Sequence, residues 1–105
     1  MPVTVVATLP VKPESVETVR GILTRTIEAV HGEPGCDLYS LHEADGGLFI
    51  FVEQWADADA LNTHSKAPAV TQMFADLGDH LAGAPDIKVA QAVPAGDPAK
   101  GQLRP

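Results

Sequence analysis

The spacing of apolar residues divides the chain into short segments with two different periods. Residues 3–9 are β-branched and apolar and end at Pro10, a pattern typical of a strand. From Pro13 onward the apolar positions follow the period of one helical face: Val16, Val19, Leu23, Ile27 and Val30. Gly32 and the Pro34-Gly35 pair end this pattern, which therefore predicts a first strand followed by an amphipathic helix.

The middle of the chain has the pattern of a β-hairpin. Residues 36–44 alternate, with Leu38, Ser40 and His42 on one face and Tyr39, Leu41 and Glu43 on the other. An Asp-Gly-Gly turn follows at 45–47, and an apolar run at 48–55 comes directly after it. Two such runs around a tight-turn signal predict two antiparallel strands.

Two helical segments and a last strand are predicted beyond the hairpin. Asp57 suits the N-cap of a short helix that runs to about Ser65, and Pro68 suits the first turn of another. The second helix has an apolar stripe: Val70, Met73, Phe74, Leu77 and Leu81. Ile87, Val89 and Val93 indicate a final strand.

The resulting order, β-α-β-β-α(α)-β, is that of the ferredoxin-like split βαβ arrangement in the α+β class. We expect an antiparallel sheet with its helices on one face. We expect residues 1–94 to form one domain, because half of a 105-residue chain could not bury a core of its own. The polar tail at 95–105 is expected to be flexible or to lie on a partner as an arm.

The third predicted strand requires both of its faces to be covered. Five apolar residues in a row, 48–52, point alternately to opposite faces of the sheet. Helices would cover one face only, so we expect a second copy of the chain to cover the helix-free face, giving a homodimer. A fold with a different order of layers is the alternative.

One face of this strand combines aromatic side chains with a carboxyl group. Phe49, Phe51, Glu53 and Trp55 share it. If Glu53 lies among the rings, burial raises its pKa. The alternative is that it lies near the strand end, where it is solvated or paired with Lys or Arg.

Charge and cysteine content narrow the classes of partner. The 7 basic and 14 acidic residues leave a net charge of −7, which disfavours nucleic acid and anionic membranes as partners. The single cysteine, Cys36, excludes an internal disulfide and a cysteine-rich metal site.

The N-terminal segment lacks the basic region of a signal peptide, and no apolar run reaches the roughly 20 residues that cross a bilayer. We therefore expect a cytoplasmic protein.

The usual catalytic motifs are absent from the sequence. It contains no glycine-rich phosphate loop, no G-x-S-x-G and no H-E-x-x-H, and its four histidines lack close ligand spacing, so no metal site is predicted. The remaining candidates for chemistry are five residues, each of which also has an ordinary structural explanation: Tyr39, His42, Glu53, Trp55 and His64. Cys36 is most simply a small buried residue, with a nucleophile as the alternative.

Three short motifs in register resemble the antibiotic biosynthesis monooxygenase superfamily. They are Pro-Gly-Cys-Asp-Leu-Tyr at 34–39, Phe-Val-Glu-Gln-Trp at 51–55, and His64 nine residues after Trp55. The likeness covers residues 3–93 and is greatest to bacterial quinol monooxygenases. It implies a dimeric α+β barrel and a cofactor-independent oxygenase that oxidises quinols or anthrone-like polyketides with O₂.

The resemblance also implies roles for particular residues. Trp55 takes the position of the family's pocket tryptophan and His64 that of the histidine in the following helix. His42 is placed like a hairpin histidine of anthrone oxygenases. Phe51 and Leu61 replace the asparagine and tyrosine of those enzymes, which disfavours an anthrone substrate, and the residues that bind haem in related proteins are also replaced.

These observations lead to a hypothesis for the mechanism. An imidazole has an ordinary pKa of about 6.5, which suits a general base, so we expect His64 to deprotonate or orient a phenolic substrate, with His42 as second choice. An aromatic pocket would hold the substrate ring, with Trp55 as a wall; its expected members also include Phe49, Phe51, Glu53, Phe74 and Tyr39. The alternatives are a cofactor-free isomerase or lyase acting on a small carbonyl metabolite, and a non-catalytic ligand-binding dimer.

Overall fold

A computed structural model describes residues 1–104 as four strands and three helices. The strands are β1 (Val3–Pro10), β2 (Cys36–Ala44), β3 (Leu48–Trp55) and β4 (Asp86–Ala90). The helices are α1 (Val16–His31), α2 (Ala58–Ser65) and α3 (Pro68–Leu77). This order confirms the predicted α+β, ferredoxin-like arrangement.

The four strands form one antiparallel sheet in the order β2-β3-β1-β4. Burial alternates along β1, where Val5 and Ala7 are buried while Val6 between them remains 38% exposed. Since neighbouring strand residues point to opposite faces, the helices cover only the face that carries Val5 and Ala7. The core lies between that face and α1 and α3.

Local interactions explain where the two later helices begin. The Asp57 carboxylate accepts a hydrogen bond from the backbone N–H of Ala60 at 2.8 Å, which confirms the predicted N-cap of α2. Pro68 occupies the first turn of α3. Backbone N–H groups there have no partner within the helix, so the missing N–H of proline costs no hydrogen bond. The N-cap of α2 thus lies two residues after the end of β3, and the helix contacts that strand.

Two predictions about the C-terminal part were wrong. Helix α3 ends at Leu77 and excludes Leu81, because Gly78 adopts a φ of +38° that ends the helical path. Leu81 instead forms an isolated β-bridge with Val11. The last strand ends at Ala90, so Val93 lies outside it.

Residues 95–104 of the tail lie outside the helices and strands, and the role of this segment remains a prediction. Residue 105 lies outside the described part of the chain. None of the helices within residues 1–104 is long and apolar enough to span a membrane.

The packing of α1 on the sheet can be tested with Leu23→Ala. Leu23 is fully buried, so its truncation should lower the free energy of unfolding by about 2–5 kcal/mol, because it leaves a cavity. Urea denaturation measures the difference. Leu103→Ala, at a tail residue that is 42% exposed, is the matched control and should change stability by less than about 0.5 kcal/mol. Equal effects of the two substitutions would contradict the described core.

Candidate functional site

A cavity of about 290 Å³ lies between the helix-covered face of the sheet and helices α2 and α3. The sheet side is formed by Val5, Ala7, Leu9, Tyr39, Phe51, Glu53 and Ile87, and the helix side by Leu61, His64, Ser65, Val70, Met73 and Phe74, with Pro85 beside them. Most of these side chains are apolar. The polar exceptions are Tyr39, Glu53, His64 and Ser65, a composition typical of small-molecule sites.

The pairing of β2 with β3 brings three of the predicted pocket residues together. Tyr39 lies opposite Glu53 in the strand register, so both side chains point to the helix-covered face. The Tyr39 ring stacks on Phe51 with 4.6 Å between ring centroids. Phe74 lines the cavity from α3 and is 40% exposed, which places it near the opening. These four residues line the cavity as expected, while their contact with a substrate remains a prediction.

His64 projects from α2 into this group of side chains. Its Nδ1 lies 2.9 Å from Glu33 Oε1, and its ring centroid lies 4.3 Å from that of Trp55 and 5.4 Å from that of Tyr39. Nε2 has no hydrogen-bond partner among residues 1–104, and the residue lines the cavity. The ring is therefore held by one nitrogen and can offer the other to a ligand.

Trp55, expected as the pocket wall, and Phe49, expected among its residues, do not line this cavity, and their part in ligand binding remains a prediction. Both are buried in the core. The Trp55 indole N–H donates to Glu53 Oε1 at 2.9 Å, and its ring packs against His64. Trp55 thus supports two lining residues from behind, whereas Phe49, near the other end of β3, belongs to the core.

Glu53 is buried, with only 4% of its surface exposed. It therefore lies among the aromatic rings and not in solvent at the strand end. Burial raises the pKa of its carboxyl group, while the hydrogen bond from Trp55 acts in the opposite direction. Burial also raises the pKa of the Tyr39 phenol, and the nearby Glu53 adds to that effect. Tyr39 therefore presents a protonated hydroxyl to the cavity at neutral pH.

His42 lies on the opposite side of the sheet from the cavity. It pairs with Ile50 on the helix-free face, and its Nε2 lies 2.7 Å from Ser40 Oγ on the same exposed surface. A side chain there cannot reach a ligand in the cavity of the same subunit. His64 and His42, the first and second choice for the general base, therefore lie on opposite sides of the sheet.

Glu33 belongs to the site and was missed in the sequence. It lies in the turn between α1 and β2, 31 residues before His64. It is part of neither the helical nor the strand pattern of apolar residues. The neighbouring Gly35 has a φ of +78°, and a Cβ there would lie 2.6 Å from Ala60 Cβ. The Pro-Gly pair signals such a tight turn, but only the close approach of this turn to α2 identifies the partner of Glu33.

The structure offers little support for a nucleophilic Cys36. Burial raises the pKa of its thiol, and the neighbouring Glu33 raises it further, so the reactive thiolate is disfavoured. Over residues 1–104, no three His, Cys, Asp or Glu side chains converge in a way that could hold a metal ion.

The chain matches a known family over most of its length. Residues 2–76 match the antibiotic biosynthesis monooxygenase family. The Mycobacterium tuberculosis protein "Putative monooxygenase Rv0793" is 32% identical over 81 residues, which cover 76% of this chain and 80% of the relative. The Synechocystis protein sll1783 is 31% identical over 90 residues, or 84% of this chain but only 61% of that protein's own length.

Solved structures of similar proteins have the same fold. The Rv0793 structure has a TM-score of 0.85 at 26% identity and covers 92% of this chain and 100% of that one. A Caulobacter crescentus structure named "putative antibiotic biosynthesis monooxygenase" has a TM-score of 0.83 at 32% identity and covers 88% and 90% of the two chains. Together with the sequence match, these similarities show that the chain belongs to the antibiotic biosynthesis monooxygenase family, and they support a monooxygenase-like role.

The raised pKa of Glu53 predicts a pH-dependent cost of its burial. Above about pH 4.3 an unfolded glutamate loses its proton, whereas the folded protein retains it up to the raised pKa, so the free energy of unfolding falls as pH rises through that interval. Glu53→Gln keeps an oxygen that can accept the Trp55 N–H but removes the titration. We therefore expect the stability of the variant relative to the native chain to increase between pH 4 and pH 8 in urea denaturation.

Glu28→Gln is the matched control for this experiment. Glu28 lies exposed on α1, so the loss of its carboxylate should leave the pH profile of stability close to that of the native chain. If Glu53→Gln and Glu28→Gln gave the same profile, the burial of a titrating carboxyl at position 53 would be contradicted.

Proposed function

We propose that this protein is a cofactor-independent monooxygenase that oxidises a small electron-rich aromatic compound, a quinol or a related phenol, with O₂ as co-substrate. One observation carries this proposal: His64, held at Nδ1, lines an otherwise largely apolar cavity together with Tyr39 and Glu53. Membership of the family supports the monooxygenase part. The substrate class rests on the chemistry of the cavity.

The size of the cavity favours a substrate of about two fused rings. An apolar protein cavity of about 150 Å³ holds one benzene molecule, and the present one has about 290 Å³. Phe51 and Phe74 lie among its lining residues and can pack against an aromatic ring. A bicyclic quinol therefore fits better than a three-ring anthrone, in agreement with the apolar Leu61 in the lining.

The first step of the proposed reaction is a proton transfer. Triplet O₂ reacts slowly with a closed-shell phenol, whereas a phenolate readily gives up one electron. His64 Nε2 takes the proton from a substrate hydroxyl, and the bonding electron pair stays on the substrate oxygen. The low polarity of the surrounding side chains limits access of water to the radical pair that follows.

The later steps need no external reductant. One electron passes from the phenolate to O₂, and the superoxide then bonds to an unsubstituted ring carbon to form a hydroperoxide after protonation. Loss of water from this hydroperoxide leaves one oxygen atom on the ring. A quinol and O₂ thus become a hydroxyquinone and water, with all four electrons supplied by the substrate.

Tyr39 fits a second role in this site. Its pKa is raised by burial, so the hydroxyl is protonated at neutral pH. It can therefore donate a hydrogen bond to an oxygen atom of the substrate without bringing a second negative charge close to a phenolate.

The assignment of the base is tested by His64→Ala with a bicyclic quinol in an oxygen electrode. Loss of a general base should lower kcat by about 10²–10⁴-fold, with O₂ consumption and substrate loss falling together. His42→Ala is the matched histidine control and should retain kcat, because His42 lies on the other face of the sheet. Full activity of His64→Ala in a folded protein would exclude His64 as the base.

We further propose that two copies of the chain pair through the helix-free face. Leu48, Ile50 and Val52 of β3 are only half-buried on that face, and Val6 of β1 beside them is exposed. A contiguous apolar surface of this kind is typical of an interface. His42 lies on the same face and would then be covered by the partner rather than exposed to solvent.

Val52→Lys tests the pairing. A lysine in the middle of the proposed interface should convert a dimer of twice 11.0 kDa into an 11.0 kDa monomer in sedimentation analysis, because a charge buried there has no partner. Ala29→Lys, on the exposed side of α1, is the control and should leave the dimer intact. A native chain that sediments as a monomer at micromolar concentration would contradict the proposal.

A further inference from the structure

A buried carboxylate contacts the nitrogen of His64 that does not carry the proposed reaction. Glu33 Oε1 lies 2.9 Å from Nδ1, and the side chains of His64 and Glu33 are only 9% and 15% exposed. The ion pair between Arg20 and Glu43, by contrast, is largely solvated. Two side chains enclosed in this way lose their freedom to rotate apart, so the contact defines the orientation of the imidazole ring.

The backbone around Glu33 is fixed on both sides. Its N–H donates to the Val30 carbonyl at 3.0 Å, and its carbonyl accepts from the Cys36 N–H at 3.2 Å. The Gly35 carbonyl accepts from the Ala56 N–H at 2.8 Å, which ties the turn to the segment that leads into α2. The turn that carries Glu33 and the helix that carries His64 are thus joined independently of their side chains.

We infer that Glu33 is a positioning residue that holds the proton of neutral His64 on Nδ1, so that the unprotonated Nε2 faces the cavity. An ionised carboxylate can only accept hydrogen bonds, and neutral imidazole has a single N–H, so the contact selects the Nδ1–H tautomer. When Nε2 takes a proton from the substrate, the ring becomes a cation and Glu33 supplies the neighbouring negative charge. This inference rests on the proposed function.

The second carboxylate oxygen strengthens the link between the two residues. Glu33 Oε2 is buried and has no hydrogen-bond partner within residues 1–104. The contact with His64 Nδ1 is therefore the only side-chain hydrogen bond of this carboxyl group within residues 1–104, so the orientation of both side chains depends on it.

Glu33 and Glu53 have different surroundings near the same ring. Glu53 accepts from Trp55, and its pKa is raised first by burial and further by the charge of Glu33. Of the two carboxyl groups, only that of Glu33 contacts the imidazole directly, whereas that of Glu53 is bound to the indole.

The tautomer can be observed without substrate or turnover. The ¹⁵N chemical shifts of the His64 ring, measured by NMR above the pH at which imidazole is cationic, should show the proton on Nδ1 in the native protein. Glu33→Ala should shift the population toward the Nε2–H form that free imidazole side chains prefer. Glu33→Gln should shift it in the same direction, because its amide can turn its N–H toward an unprotonated Nδ1, whereas a carboxylate can only accept. A native His64 protonated at Nε2 would overturn the inference.

Turnover of a bicyclic quinol gives an independent readout. Glu33→Gln preserves the shape of the side chain but loses the charge and the selection of the tautomer, so kcat should fall by at least about 10-fold and at most about 10⁴-fold, while KM changes little. Glu28→Gln removes an exposed carboxylate from the neighbouring helix and should leave kcat unchanged.

The variants distinguish failure of the inference from failure of the proposed function. If His64→Ala is inactive while Glu33→Gln retains full kcat, His64 remains the base and the inference about Glu33 is wrong. If His64→Ala is fully active, the proposed base is wrong, whatever the NMR spectra show. If Glu33→Ala does not fold, the native spectrum and the isosteric Glu33→Gln variant still decide the matter.

Discussion

Strand β3 imposes the constraint on which the rest of the structure depends. It lies between β1 and β2, and its alternate side chains require burial on both faces of the sheet. On one face, Phe49, Phe51 and Trp55 are buried beneath the helices and form much of the aromatic core. On the other face residues 1–104 supply no layer of helices, and this is the physical basis for the proposed pairing of two copies.

The same strand brings polar groups into an apolar interior, where each must have a partner. Glu53 accepts the Trp55 indole N–H, and His64, packed on Trp55, contacts Glu33. These contacts connect the end of β3, the turn after α1 and helix α2 at one place. A carboxyl group with a raised pKa, a protonated phenol and an oriented imidazole therefore lie around one cavity, an arrangement suited to moving a proton.

Much of the fold could be predicted because it depends on short-range patterns. The period of apolar residues in α1, the cap at Asp57 and the turn between β2 and β3 are all encoded within a few neighbouring positions. The limit of this reasoning is visible at Leu81, where the helical spacing continues but the helix does not. There the backbone conformation of Gly78 ends α3. Leu81 instead forms a β-bridge with Val11, which is far away in the sequence.

The sequence by itself determined the order of elements, the two faces of β3 and the placement of Glu53 beside aromatic residues, since strand periodicity decides which side chains share a face. Only the tertiary structure decided which of those side chains reach the cavity. Trp55 lies behind His64, and His42 is excluded by the thickness of the sheet. Glu33 meets His64 across 31 residues of chain because a tight turn packs against a helix, and no local pattern encodes a contact made through space.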